Sequence, residues 1–161
     1  MIQNPISPPP ELPMMDKATK LEAAQQAIGY RFNDPHLLWE ALQASGSGVD
    51  SIDGRTVAEG NKQLALVGDK VLALHLALIG REQGERVEQI NDRISARSRN
   101  ARLQEICDGS GLTACIQNNP SQGGVVQPRT KTAAVEAVVA AAHCDGGMQA
   151  AETVMRNLGI V

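Results

Sequence analysis

Two acidic residues interrupt stretches of the chain that are otherwise apolar. Asp69 lies in the run from Leu64 to Ile79, and Glu136 lies in the run from Ala133 to Ala142. Burying an unpaired carboxylate costs several kcal/mol, so each acid needs a partner. Three partners suit a carboxylate: a hard metal ion such as Mg²⁺ or Mn²⁺, a lysine such as Lys70 or Lys131, or backbone donors. The residue types leave these interpretations open.

Arginines are concentrated in one short segment. Five of them lie between residues 86 and 102, against Glu88 and Asp92, which gives a local charge of +3 in a chain whose net charge is -3. These are Arg86, Arg93, Arg97, Arg99 and Arg102. Arginines suit phosphate recognition, whereas a solvated face with ion pairs inside the helix is the alternative. The net charge of -3 argues against a protein that binds nucleic acid through its overall charge.

The histidines and cysteines show no metal-ligand spacing. We expect His75 and His143 to be hydrogen-bonded residues of the core or its rim. The three cysteines, an odd number, are interpreted as reduced thiols. They are Cys107, Cys115 and Cys144. Reduced thiols predict that the protein resides in an intracellular, reducing compartment, and we favour the cytoplasm or nucleus over the mitochondrion.

The chain divides into an arm and one domain. Residues 1–20 are rich in proline and are predicted to form a flexible arm. They have neither the basic start and apolar run of a secretory signal nor the arginines of a mitochondrial one, so we expect no leader there. Residues 21–161 hold enough apolar sequence for a single compact domain. The run from Leu64 to Ile79 is shorter than the roughly 20 residues of a membrane span and contains charges, so it predicts a core helix and no membrane partner.

The domain is predicted to be all-α. Asp34 followed by Pro35 is typical of a helix start, and residues 145–147 predict a left-handed turn between the last two helices, over 132–144 and 148–158. Loops are expected at residues 45–60 and 116–130. The three aromatic residues are interpreted as a core plug: Tyr30, Phe32 and Trp39. The inward positions of the arginine-rich segment are expected to be Val87, Ile90, Ile94, Leu103 and Ile106.

Four segments in order resemble the ribonuclease III family. LEAAQQAIGYRFNDPHLLWEAL is similar to the opening of its nuclease domain, with the pattern GYxFxxPxLLxxAL, and NKQLALVGDKVL is similar to the signature NERLEFLGDxVL. SRNARLQEICDGSGL resembles the helix that follows, and TAAVEAVVAAAHCDGG resembles ADxFEAxxGAxYxDGG. The resemblance implies a helical bundle that hydrolyses double-stranded RNA with divalent metal ions held by two pairs of carboxylates, in a homodimer.

The chain departs from this pattern where the family places its metal ligands. Asp69 and Glu136 match one acid of each pair, but Ala65 and Ala133 stand where the other two acids are expected. Lys62 and Gln63 also replace the Glu-Arg that opens the signature. Two carboxylates offer half the charge of four, so we expect one weakly held Mg²⁺ or Mn²⁺, or none.

Two functions follow from the resemblance. The first is a catalytically weak or inactive domain that binds structured or double-stranded RNA through Arg93, Arg97, Arg99 and Arg102, or serves as a ribonucleoprotein subunit. The second is an active metal-dependent endoribonuclease that uses Asp69 and Glu136. Either is expected to be a homodimer. The family's separate double-stranded-RNA-binding domain is expected to be missing, because no sequence follows Val161.

Overall fold

Six α-helices form the domain in a computed structural model that describes residues 14–161. They are α1 (Lys17–Ile28), α2 (Pro35–Ala41), α3 (Lys62–Glu82), α4 (Val87–Ser98), α5 (Asn100–Ser110) and α6 (Pro128–Asn157). Short 3₁₀ turns at Leu112–Cys115 and Pro120–Gln122 lie in the connection to α6. The all-α prediction is confirmed. Most of the predicted arm, residues 1–13, lies outside the described residues. Residues 17–20 already belong to α1, so the first helix begins before the predicted boundary at residue 20.

Local sequence explains how the first two helices begin and end. The Asp16 side chain accepts a hydrogen bond from the Thr19 N–H at 2.8 Å and caps α1. Gly29 ends that helix with φ of 63°, a left-handed conformation that glycine adopts at low cost. At α2 the Asp34 side chain accepts from the His36 N–H, and Pro35 occupies the first helical position, as predicted.

Helices α3 and α6 form the centre of the fold, and their backbones meet at Gly68. A Cβ atom added at Gly68 would lie 1.8 Å from the Glu136 carbonyl oxygen, so only glycine permits this approach. Along α6, residues 137–142 are fully buried and four of those six are alanines. Small side chains therefore let the two helices pack closely over several turns.

The structure corrects two expectations about burial. Helix α3 is not enclosed on all sides, because Leu66 and Leu74 on its outer face are 64% and 52% exposed. Val87, expected to point inward, is 76% exposed, and no residue of α4 is fully buried. Helix α4 packs against α3 through the half-buried Ile90 and Ile94, so most of its surface faces solvent.

The helical fold also contains a short β-hairpin and a break inside α6. The loop predicted over residues 45–60 contains a small antiparallel hairpin of β1 (Ser51–Ile52) and β2 (Arg55–Thr56), too short to show an alternating pattern in the sequence. Gly146 and Gly147 have non-helical backbone angles inside α6, with φ of 74° at Gly147. The break predicted there is present, and it divides α6 into two packed segments.

The aromatic residues belong to the core, as predicted. Phe32 and Trp39 are each 8% exposed, and the Tyr30 and Phe32 rings meet edge to face with centroids 5.0 Å apart. Within residues 14–161, α3 is the one helix long and apolar enough to cross a membrane, a criterion that a central core helix also meets.

Candidate active site

The contact at Gly68 brings the two predicted acids together. Asp69 follows Gly68 on α3, and Glu136 lies on the facing turn of α6. Burial raises the pKa of Glu136 to about 7; the negative charge of Asp69 adds to the rise, and Lys70 opposes it. The charge of Asp69 therefore reaches the Glu136 carboxyl across the contact between the two helices. Asp69 and Glu136 therefore form one acidic pair between α3 and α6.

Asp69 has a lysine partner at the edge of the pair. Lys70 Nζ lies 3.1 Å from Asp69 Oδ2, and the Asp69 side chain is 45% exposed. Lys131, the other lysine considered, instead lies 2.9 Å from an Asp108 carboxylate oxygen on α5. The Lys131 alternative is wrong, since α6 directs that side chain to α5. An exposed pair with Lys70 is weak and easily displaced.

Alanines occupy the positions where two more acids would complete the cluster. Ala65 lies one helical turn before Asp69 and is 7% exposed, and Ala133 lies one turn before Glu136 and is partly buried. No group of three or more His, Cys, Asp or Glu side chains suited to a metal ion occurs within residues 14–161. The acidic pair could thus give a hydrated Mg²⁺ carboxylate oxygens from two side chains only, a poor fit to a dedicated metal centre.

The predicted RNA-binding arginines differ in how firmly the fold holds them. Arg93 pairs with Glu85 and donates to Gln83, and Arg102 donates to the Gly159 carbonyl at 2.6 Å. Arg97 and Arg99, around the junction of α4 and α5, make no side-chain hydrogen bond or ion pair with another described residue. The fold therefore leaves these two guanidinium groups available to an anion.

The two histidines considered as ligands occupy different parts of the fold. His75 is buried in α3 at 8% exposure. His143 lines a shallow apolar groove of about 500 Å³ on the outside of α3, with Leu66, Leu74 and Met148. Their surroundings match a core and a rim position, but neither ring makes a hydrogen bond to another described residue, so the expected hydrogen bonds are not seen. The three cysteines are free thiols, and burial raises the pKa of Cys107 to about 11, which makes that thiol unreactive.

Several known proteins resemble this chain in sequence or in fold. No family model matches the sequence. Ribonuclease 3 of Ruegeria pomeroyi is 31% identical over 149 residues, which cover 89% of this chain and 64% of the relative. Ribonuclease 3 of Caulobacter vibrioides is 32% identical over 142 residues, covering 83% and 58% respectively. The chain thus spans about half to two thirds of the length of these curated relatives.

The fold agrees with the sequence. The nuclease domain of ribonuclease III from Campylobacter jejuni superposes with a TM-score of 0.71 at 22% identity, covering 86% of this chain and 95% of that domain. The chain carries a domain of the ribonuclease III family. Its four matching segments lie in order along the structure, and the signature segment coincides with the first half of α3.

The ribonuclease III assignment indicates which residue types Ala65 and Ala133 replace. The resemblance implies a glutamate at position 65, in the signature segment, and an aspartate at position 133, in the later segment that resembles ADxFEAxxGAxYxDGG. Here both side chains are methyl groups, buried at Ala65 and partly buried at Ala133. The glycine before Asp69 is retained, and it is this glycine that permits the contact of α3 with α6. Asp69 and Glu136 thus lie at two of the four positions where the resemblance implies acids, and Ala65 and Ala133 lie at the other two.

Two structurally important acids were missed by sequence reasoning. Asp145 accepts hydrogen bonds from the Tyr30 hydroxyl at 2.7 Å and from the backbone N–H groups of Asn33 and Asp34 at 2.9 Å. Burial tends to raise the Asp145 pKa, but these three donors outweigh it and hold the pKa below its usual range. Glu40 is 5% exposed and pairs with Arg55 of β2. An acid beside Gly-Gly and one inside a helix gave no signal of distant partners.

Proposed function

We propose that this ribonuclease III-type domain binds structured or double-stranded RNA as a homodimer and cleaves it weakly or not at all, either by itself or as a subunit of a ribonucleoprotein. The observation that carries the proposal is the acidic pair: Asp69 and Glu136 share one environment, while Ala65 and Ala133 supply no further oxygen. Duplex cleavage by metal ions needs a carboxylate cluster that can neutralise and position them.

The protonation of Glu136 weakens the pair further. With a pKa of about 7, this carboxyl carries on average about half a charge at neutral pH. Together with Asp69 it offers a divalent ion fewer than two negative charges, and Lys70 competes at Asp69. An ion that binds must displace Lys70 and, in the molecules in which Glu136 is protonated, a proton as well, which lowers its apparent affinity.

RNA binding is supported by the part of the domain that carries Arg97 and Arg99. Both guanidinium groups stand where α4 ends and α5 begins, without a described partner. A-form RNA is recognised mainly through phosphates and 2′-hydroxyls, contacts that arginines make well. The domain is acidic overall, so the attraction must come from this local patch rather than from net charge.

Dimerisation is supported by the outer face of α3. Four of its apolar side chains are between 42% and 64% exposed: Leu66, Val67, Leu74 and Leu78. An exposed apolar face of this kind, here interrupted by Lys70, marks an interaction surface. The Campylobacter jejuni nuclease domain has a flexible region that is involved in dimer formation.

An active endoribonuclease is the second candidate. Gly68 still holds Asp69 and Glu136 together, and Mg²⁺ can bind through one or two carboxylates when substrate phosphate supplies further oxygens. In that case the chain's own residues would orient the ion, and the ion would supply charge neutralisation and an activated water.

Cleavage of a defined RNA duplex in Mg²⁺ distinguishes the two candidates. We expect the duplex to be bound and to be cut no faster by the unmodified chain than by the Asp69→Asn variant, under single-turnover conditions. Binding is measured in the same buffer without divalent ions. Efficient cleavage that Asp69→Asn abolishes would establish the enzyme instead, and absence of binding at low salt would remove RNA from the proposal.

A further inference from the structure

The outer face of α3 carries a stripe of side chains with an internal symmetry. Its six positions are all exposed and follow one another at spacings of three, four, four, four and three residues. They are Gln63, Leu66, Lys70, Leu74, Leu78 and Arg81. These spacings keep the side chains on one side of the helix. The pattern reads the same way from either end, with its midpoint at the level of Leu72.

Such a stripe is complementary to its own reverse. If two copies pack their α3 helices antiparallel about a two-fold axis near Leu72, then Leu66 of one copy faces Leu78 of the other. Lys70 faces Leu74, so its methylene stem covers apolar surface while its ammonium reaches water. At each end of the contact, about 27 Å apart along the helix, Gln63 of one copy faces Arg81 of the other.

The end of the stripe at Gln63 opens into an acidic cavity. This cavity of about 240 Å³ lies between α2, the segment after β2 and the first turn of α3. Glu40 and Glu59 line it together with Gln63. The Glu40 side chain is only 6% exposed; one of its oxygens pairs with Arg55, and no described residue donates to the other. Two carboxylates against one arginine leave the cavity with a net negative charge.

The other end of the stripe presents a cation with nothing to bind. Arg81 is exposed in the last turn of α3 and makes no side-chain hydrogen bond or ion pair with another described residue. A near-antiparallel crossing of about 20° opens a gap of a few ångströms at the helix ends. An arginine is long enough to bridge such a gap, and its fork of donors suits a buried carboxylate.

We propose that Arg81 of one copy enters the Glu40–Glu59 cavity of a second copy, twice in each symmetric dimer, and that this pairing fixes the antiparallel register of α3. The inference rests on the homodimer of the proposed function and adds its register. The apolar stripe supplies association, and the two charged ends select this register over others.

Charge reversal at the two ends tests the pairing. Arg81→Glu and Glu59→Lys should each weaken the dimer by about tenfold or more, because two attractive contacts per dimer become repulsive. Arg129→Glu, which makes the same charge change at an exposed site on α6, should leave the dimer dissociation constant unchanged. Glu59 is exposed, so its substitution spares the buried Glu40. Sedimentation velocity over a concentration series measures each constant.

Mixing the two weakened variants gives the decisive result. In a mixed dimer one end pairs the introduced glutamate with the introduced lysine and the other end keeps the native pair, so the mixture should associate about as tightly as the unmodified chain. If neither variant changes the dissociation constant, or if the mixture stays monomeric, the register is wrong while the homodimer stands. If the unmodified chain is a monomer at all concentrations, the homodimer and this inference both fail.

Discussion

Glu136 is a carboxyl whose surroundings favour its neutral form. Burial removes water from it, and the charge of Asp69 adds to the cost of ionising it. In a complete ribonuclease III centre, bound cations would offset that cost. In the function that we propose, Ala65 and Ala133 leave the pair with too few oxygens to hold such ions firmly, and a proton on Glu136 reduces the negative charge of the pair instead.

The stability of the fold should therefore depend on Glu136 between about pH 4.5 and 7. Its pKa rises from 4.5 to about 7 on folding, so the folded chain keeps a proton that the unfolded chain releases. The free energy of unfolding should fall by about 1–2 kcal/mol as pH rises through this window and stay level above it, after allowance for partial exposure of the side chain.

Glu136→Gln should remove that part of the pH dependence and stabilise the domain at pH 8. Urea unfolding at pH 5 and pH 8, in buffer without divalent ions, measures it. Glu105→Gln, at an exposed position on α5, is the matched control. An unchanged fall in stability between the two pH values in Glu136→Gln would contradict the pKa assigned to this carboxyl.

Arg97 is the residue through which RNA binding is most simply tested. If it contacts phosphate, Arg97→Glu should weaken binding to duplexes of any sequence by severalfold and reduce the slope of log affinity against log salt by about one. Arg156→Glu, at the far end of α6, should have little effect. Fluorescence anisotropy between about 50 and 200 mM salt checks both; equal affinities for Arg97→Glu and the unmodified chain would exclude Arg97 from the interface.

At the scale of elements, the approach of α3 to α6 depends on one glycine. Gly68→Ala places a methyl group against the Glu136 backbone, which can yield only if the helices separate. We expect a loss of about 1–3 kcal/mol in the free energy of unfolding. Gly109→Ala, in the open surroundings of α5, should instead stabilise the domain by roughly 0.5–1 kcal/mol. Equal effects in thermal unfolding would contradict the close contact.

Elements set by local signals could be predicted, whereas their burial could not. The start of α2 at Asp34-Pro35 and the break at Gly146-Gly147 follow from the backbone preferences of those residues. The exposure of Val87 and of the α3 outer face depends on which helices pack there, and an apolar residue looks alike in a core and in an interface.

The candidate site likewise contains residues that the sequence predicted and contacts that it did not. Asp69 and Glu136 were singled out because each interrupts an apolar run and matches a position where the resemblance implies an acid, and the structure brings them together. The pairing of Lys131 with Asp108, the commitment of Arg93 to Glu85 and the donors around Asp145 all join distant segments. Sequence patterns are local, so they carry no record of such contacts.

At the scale of the whole molecule, the exposed apolar face of α3 should hold two copies together. Leu74→Asp places a charge in the middle of that face and should convert the dimer to a monomer without unfolding the domain, because Leu74 is half exposed in the single chain. Val125→Asp, at a 61% exposed apolar site in the loop before α6, is the control. Light scattering reports the mass; a dimer that survives Leu74→Asp would place the interface elsewhere.

If Asp69 and Glu136 are half of a four-acid ribonuclease III centre, then restoring the other two acids should create a metal site. Ala65→Glu with Ala133→Asp returns carboxylates to the helix turns beside the pair. Titration calorimetry with Mn²⁺ should then show binding at least about tenfold tighter than in the unmodified chain, lost again when Asp69→Asn is added. A folded double variant with no gain in affinity would show that the four positions do not converge and that Asp69 and Glu136 are not half of such a centre.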